Sequence, residues 1–162
     1  MYRLLLIVLL LTGCAHLTTY SDVLGGIDTI AIPFADNLTT EAAVADSLTQ
    51  ATVAAFNQDG QRHVVDADGA DAILYLDILS VEDRVHPWSR PPSQYRFSVV
   101  VSVEIKAFDR TPRLKQYESI GWGTYEWGTY EWGTYEDDDK RKEAIGKAVR
   151  MVAWDIIDKC RR

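Results

Sequence analysis

Residues that usually carry out chemistry are scarce in this sequence. Two cysteines and three histidines among 162 residues are too few for a disulfide framework, and no histidine stands beside a second ligand type at metal-binding spacing. A nucleophile elbow, a glycine-rich phosphate loop and an HExxH motif are all missing. The acidic turn at 66–71 lacks the glycine and final glutamate of a calcium-binding loop. We therefore expect a protein that is not an enzyme and needs no metal or cofactor.

Positive charge is also in short supply. The chain has 17 lysines and arginines against 24 acidic residues, a formal net charge of −7. Nonspecific binding to nucleic acid depends on basic surface, so a nucleic-acid partner is not expected. The composition, 47% hydrophobic and 25% charged, is that of an ordinary globular domain. A chain of this length can build one core without disulfide bonds.

A hydrophobic run long enough to span a membrane is absent from the N-terminus. Met1-Tyr2-Arg3 is followed by eight apolar residues, 4–11, whereas about 20 are needed to cross a bilayer. The run ends in Leu11-Thr12-Gly13-Cys14, the pattern of a bacterial lipobox, whose cysteine is acylated and becomes the mature N-terminus. We predict a signal peptide at 1–13, a lipidated tether at 14–24 and a single periplasmic α+β domain at 25–162.

The residue after the acylated cysteine bears on where the protein is anchored. By resemblance to other bacterial lipoproteins, an aspartate directly after the acylated cysteine retains the protein in the inner membrane. This chain has Ala15 at that position. We therefore expect an outer-membrane lipoprotein that faces the periplasm and is held by acyl chains, each buried methylene contributing about 0.8 kcal/mol. Cys160 has no second cysteine to pair with, and we predict a semi-buried or free thiol there.

Hydrophobic periodicity predicts alternating strands and helices along the rest of the chain. The clearest alternation starts at Tyr95, where every second residue through Ala107 is apolar. The residues between are polar except Val100, as in a strand with one solvent-exposed face. The predicted elements are strands at 30–34, 62–65, 72–85, 94–107 and from 114 onward, and amphipathic helices at 41–57 and 139–161. They predict a two-layer α+β sandwich, in the order β-α-β-β-β-β-α. Its mainly antiparallel sheet has four or so strands, and both helices lie on one face.

A tandem repeat interrupts this pattern near the end of the sheet. The pentapeptide Trp-Gly-Thr-Tyr-Glu occurs three times, at 122–126, 127–131 and 132–136. Because side chains of a strand alternate with a period of two, a five-residue repeat changes faces at each copy, so core packing did not shape it. One interpretation is a duplication that lengthens an edge strand or hairpin; the other is an aromatic platform for sugars or a membrane interface.

Several segments of the chain resemble one family of envelope lipoproteins. They are the lipobox, IAIPFADN at 30–37, AFNQDG at 55–60, ADAIL at 70–74, QYRFSVVVSV at 94–103 and the closing amphipathic helix. Together they resemble the LptE family of lipopolysaccharide-assembly lipoproteins. The resemblance implies a periplasm-facing α+β domain that plugs the LptD β-barrel and helps lipopolysaccharide reach the outer leaflet. The triple repeat departs from the family pattern, since it falls where a single strand would end.

Binding of an acidic, phosphorylated glycolipid would require local cations on this acidic chain. Arginine grips phosphate through two parallel hydrogen bonds, so basic groups near turns are the candidates. We predict lipopolysaccharide contacts at Arg84, Arg90, Arg96, Arg113 and Lys115, with Arg90 and Arg84 the first to test. The alternative for these residues is ordinary solvated loop charge.

A second class of function fits the same pattern. Activators of penicillin-binding proteins and curli-secretion lipoproteins also begin with a strand like IAIPF and an amphipathic helix. The long uninterrupted strand at 94–109 and the tether of about ten residues favour the LptE-like interpretation. A plain structural lipoprotein is the third possibility.

Overall fold

The computed structural model describes residues 26–85, 94–108, 113–126 and 136–161. The strands are β1 (Thr29–Ala31), β2 (Asp36–Asn37), β3 (His63–Val64), β4 (Ala72–Val85), β5 (Gln94–Ala107) and β6 (Arg113–Glu126). The helices are α1 (Ala43–Asp59) and α2 (Glu136–Arg161), and a single 3₁₀ turn spans Ala67–Gly69. The predicted signal peptide and tether, with Cys14, lie outside the described residues.

Three long strands dominate the single sheet. Strands β4, β5 and β6 have 14 residues each and pair antiparallel in that order. The register shifts between Ile78 and Ser80, where a bulge at Leu79 keeps the apolar side of β4 facing the core. The strand order β3-β1-β4-β5-β6 leaves β6 at one edge of the sheet, and β2 pairs with β4.

Both helices cover the same face of this sheet. Most apolar residues of β4 and β5 that point toward the helices are buried and form one core cluster with the inward residues of α1 and α2, whereas Val81 and Tyr95 are partly buried at its edge. Its largest buried side chains include Phe56 from α1, Leu74 from β4, Phe97 from β5 and Ile156 from α2. The opposite face of the sheet is covered by no described helix, as the alternation in β5 predicted.

The structure confirms the α+β class and corrects the prediction in two details. The sheet is partly parallel, because β1 pairs in parallel with both β3 and β4. Helix α1 returns the chain from β1 to β3 on one side of the sheet, as parallel neighbours require. Strand β1 also ends at Ala31, before Pro33, which has no N–H for the ladder. The predicted strand at 30–34 places Phe34 on one face with Ile30 and Ile32, but Phe34 is 64% exposed.

Helix α2 lies unusually close to the edge strand β6. A Cβ atom added at Gly121 would lie 2.8 Å from the carbonyl carbon of Ala148, and one added at Gly123 would lie 2.8 Å from that of Ala144. These contacts involve backbone atoms that cannot rotate away. Glycine is therefore needed at both positions to let the helix backbone approach the strand.

An ionic cluster ties four segments together at the beginning of α2. The guanidinium of Arg141 donates to Glu41 (2.7 Å) and to Asp83 (2.9 Å), and its Cζ lies 5.5 Å from the ring centroid of Phe97. The hydroxyl of Tyr125 donates to the other oxygen of Asp83 at 3.0 Å. Burial, followed by this hydrogen bond, raises the pKa of Tyr125 to about 12. The cluster fixes the start of α1 against α2, β4 and β6.

The acidic turn at 66–71 ends in a residue with a structural role. The carboxylate of Asp71 accepts hydrogen bonds from the Thr29 hydroxyl (2.7 Å) and backbone N–H (2.9 Å), and the Thr29 bonds lower its pKa.

Cys160 is 3% exposed and forms no disulfide. No described helix is both long and apolar enough to cross a membrane, and no group of three metal-ligating side chains occurs in the described ranges.

Candidate functional site

The open face of the sheet, the side away from α1 and α2, is the main exposed surface built by the long strands. Register fixes which side chains lie on it. In the middle of β6 the residues facing the helices are Ser119, Gly121 and Gly123, and α2 leaves no room for a side chain at the two glycines. Two large apolar side chains point the other way: Ile120 is 60% exposed and Trp122 is 44% exposed. A strand with its apolar residues on the outside is typical of a surface that meets a partner.

One end of the open face is basic and aromatic. Strand pairing places Arg84 directly opposite Arg96, and Arg96 lies with its Cζ 5.0 Å from the ring centroid of Trp122. Arg84 is 75% exposed and forms an ion pair with Glu82 at 2.8 Å. We call Arg84, Arg96 and Trp122 the basic corner. An exposed pair such as Arg84–Glu82 contributes little to stability, so an incoming phosphate can replace the glutamate at small cost.

The other predicted ligand contacts lie elsewhere. Lys115 pairs with Ile105, nine residues along β5 from Arg96 and so about 30 Å away. It points toward the helices, where its Nζ donates to the carbonyl oxygen of Lys159 at 2.8 Å and supports the end of α2. The backbone of Arg113 pairs with Ala107. The structure therefore brings Arg84 and Arg96 together and leaves Lys115 and Arg113 at the far end of the sheet.

Arg90 belongs to residues 86–93, which lie outside the described residues. This segment connects β4 to β5, whose ends carry Arg84 and Arg96. The prediction for Arg90 therefore stays a prediction.

The contribution of Trp122 to this corner was missed from the sequence. The repeat was recognised, and Trp122 and Tyr125 were expected on opposite faces; the structure confirms this, with Tyr125 only 7% exposed. What the sequence did not reveal was the pairing of β5 with β6. Only this register places the first tryptophan of the repeat beside Arg96.

Comparison with known proteins decides the family. Residues 27–160 match the family described as LptE, lipopolysaccharide-assembly. The chain belongs to the LptE family. The match covers nearly all of the predicted mature domain and confirms the resemblance drawn from the sequence motifs. No individual curated protein matches the chain in sequence.

Solved structures of other proteins share the fold of this LptE-family chain. A Caulobacter crescentus protein described as a candidate lipoprotein superposes with a TM-score of 0.56 at 12% identity, covering 82% of this chain and 88% of that one. A minor lipoprotein from Acinetobacter baumannii gives 0.54 at 8% identity, covering 82% and 90%. A protein from Xanthomonas campestris gives 0.51 at 10% identity, covering 80% and 81%. At these identities the likeness concerns the fold alone.

Proposed function

We propose that this protein is a non-catalytic outer-membrane lipoprotein, anchored through acylated Cys14, that plugs an LptD-like β-barrel and assists lipopolysaccharide transport. The LptE-family match over residues 27–160 carries the proposal. The lipobox and Ala15 favour localisation to the periplasmic side of the outer membrane.

The open face supplies a surface suited to the barrel. It is broad, because three 14-residue strands contribute to it, and it carries exposed Ile120 and Trp122 beside charged residues. Interfaces combine an apolar aromatic centre with a polar rim. In our proposal Ile120 and Trp122 form that centre against the inner wall of the barrel.

The basic corner supplies the contacts to the glycolipid. Two arginines in one cross-strand pair can hold a phosphate group bidentately, and the indole of Trp122 offers an apolar plane beside them. Arg90 is proposed to complete this site from residues 86–93. This part of the proposal concerns binding of lipopolysaccharide, whereas the apolar centre concerns the protein partner.

An affinity pull-down from detergent-solubilised outer membranes tests the protein partner. We expect the mature lipoprotein to recover a large β-barrel in near-equal amount, and Ile120→Asp to lower that recovery at least about tenfold, since an unpaired carboxylate would be buried at the interface. Met151→Asp is the matched control, because Met151 is 43% exposed and lies on α2, on the other side of the sheet. Recovery of a cell-wall synthase instead, or of this protein's own oligomer, would overturn the plug assignment.

Titration with lipopolysaccharide tests the basic corner. We expect Arg84→Ala combined with Arg96→Ala to weaken binding by about tenfold or more, because a charge-assisted hydrogen bond contributes roughly 1.5–3 kcal/mol. Arg90→Ala should add to the loss. Lys147→Ala removes an exposed cation on α2 and serves as the control. Unchanged affinity in the double variant, with an unchanged circular dichroism spectrum, would contradict the assignment.

A further inference from the structure

A groove runs between the two helices on the side of the molecule away from the sheet. Its volume is about 410 Å³, within the range of roughly 300–1,000 Å³ that is usual for small-molecule sites. Small residues of both helices line it, including Ala51, Ala54, Gly146 and Ala153. The groove is separate from the open face and the basic corner, so it plays no part in the contacts proposed above.

The rims of the groove carry a specific set of functional groups. Helix α1 contributes Ser47, Gln50 and Gln58, whereas α2 contributes Arg150 and Trp154. Trp154 is 43% exposed and lies on the outward face of α2 together with Arg150. Hydroxyl and amide groups opposite a tryptophan ring and a guanidinium form a set that can bind a sugar, with the ring against the C–H face and the polar groups on the hydroxyls.

Arg150 is the cation of this groove. Its guanidinium forms no hydrogen bond or ion pair with any residue that the structure describes, although it stands near enough to Glu143 to help lower the pKa of that carboxyl. The neighbouring carboxylate is already engaged, since Glu143 pairs with Lys147 at 2.9 Å. A guanidinium with all its donors available favours an anionic group in the groove.

Gly146 makes room for this guanidinium. A Cβ atom at position 146 would lie 3.1 Å from one terminal nitrogen of Arg150, and no other non-local heavy atom would lie closer. Glycine inside a helix costs about 1 kcal/mol relative to alanine, and the backbone of α2 needs no glycine for packing at this position. A side chain at position 146 would therefore require the end of the Arg150 side chain to shift slightly.

We infer that this groove binds an anionic sugar unit, and that its source is the phosphorylated core oligosaccharide of lipopolysaccharide. The choice of source rests on the proposed function, whereas the groove's chemistry stands on its own residues. The sugar ring lies on Trp154, Arg150 holds the phosphate, and the Gln58 amide and the Ser47 hydroxyl meet ring hydroxyls. The Gln50 amide already donates to Asp46 at 2.9 Å. The protein thus has two separate contacts with one large ligand, at the groove and at the basic corner.

Isothermal titration of the folded domain with deacylated, phosphorylated core oligosaccharide tests this inference. We expect Trp154→Ala and Arg150→Ala each to weaken binding about tenfold to a hundredfold. Arg150→Lys should recover only part of the loss, because a lysine cannot bind phosphate bidentately. Gly146→Ala should weaken binding through the displaced guanidinium while leaving the helix more stable. Met151→Ala, an exposed change on the same helix, should have no effect.

The outcomes separate this inference from the proposed function. Oligosaccharide binding that the groove variants leave unchanged would overturn the groove while the glycolipid role stands. Binding of lipid A lacking the core, with none of the free oligosaccharide, would do the same. Failure of both probes would remove the glycolipid role as well. Equal binding of a peptidoglycan disaccharide would overturn the assigned source.

Discussion

Replacing Gly123 by valine is expected to destabilise the domain by about 3 kcal/mol or more. A Cβ atom there would overlap the backbone of Ala144, so α2 would have to move away from β6 and expose part of the core. Overpacking usually costs about 1–3 kcal/mol when side chains can adjust; here the neighbour is backbone, and the cost is correspondingly higher. Urea unfolding followed by circular dichroism measures the change.

Two further variants test whether the steric contact between α2 and β6 causes the expected loss of stability. Gly121→Ala should have a similar effect through Ala148 and the side chain of Val152. Gly69→Ala is the control, because a Cβ there meets no heavy atom within 4 Å, and its stability should stay within about 0.5 kcal/mol of the parent. If Gly123→Val unfolded at the same urea concentration as the parent, the close packing of α2 on β6 would be wrong.

Replacing Arg141 by leucine is expected to cost about 2 kcal/mol. The variant leaves Glu41 and Asp83 facing each other without a cation, at side-chain exposures of 27% and 29%. Breaking a fully buried ion pair costs about 3–5 kcal/mol and an exposed one at most about 1 kcal/mol, and this cluster lies between the two. The melting temperature should fall by about 5–10 °C.

The neighbouring residue provides the matched comparison. Lys142 also pairs with two carboxylates, Asp138 and Asp139, but its side chain is 67% exposed. Lys142→Leu should therefore change the melting temperature by less than about 2 °C. Equal losses in the two variants would show that burial does not strengthen the Arg141 cluster.

The long elements could be predicted because their patterns are local. The alternation in β5 identified its buried residues, and the apolar stripe in α2 located that helix to within a few residues. The parallel strands could not be predicted in the same way. β1 and β3 have only three and two residues, and their pairing depends on how α1 packs.

The candidate site was only partly predictable for a related reason. Arg84 and Arg96 were both identified, but their cross-strand pairing depends on the register of β4 and β5. For β6, hydrophobicity alone would have turned the strand over: Ile120 and Trp122 look like core residues, and Gly121 and Gly123 carry no side chain to mark the buried side. In the structure the two glycines face the helices and Ile120 and Trp122 point outward, because α2 packs directly against the backbone of β6. The distance between a helix and a strand is set by the folded molecule and cannot be read from local sequence patterns.

The packing of α2 on β6 also determines which part of the repeat can occupy the strand. The three pentapeptides are identical, so a slip by five or ten residues would offer β5 the same Trp-Gly-Thr-Tyr-Glu sequence. The residue before each tryptophan differs, however: it is Gly121 before the first copy and Glu126 or Glu131 before the others. In a slipped register a glutamate would stand where only glycine fits beneath Ala148. Steric exclusion at position 121 thus allows only the first copy to pair with β5 in this register. The number of later copies can therefore change without changing the sheet.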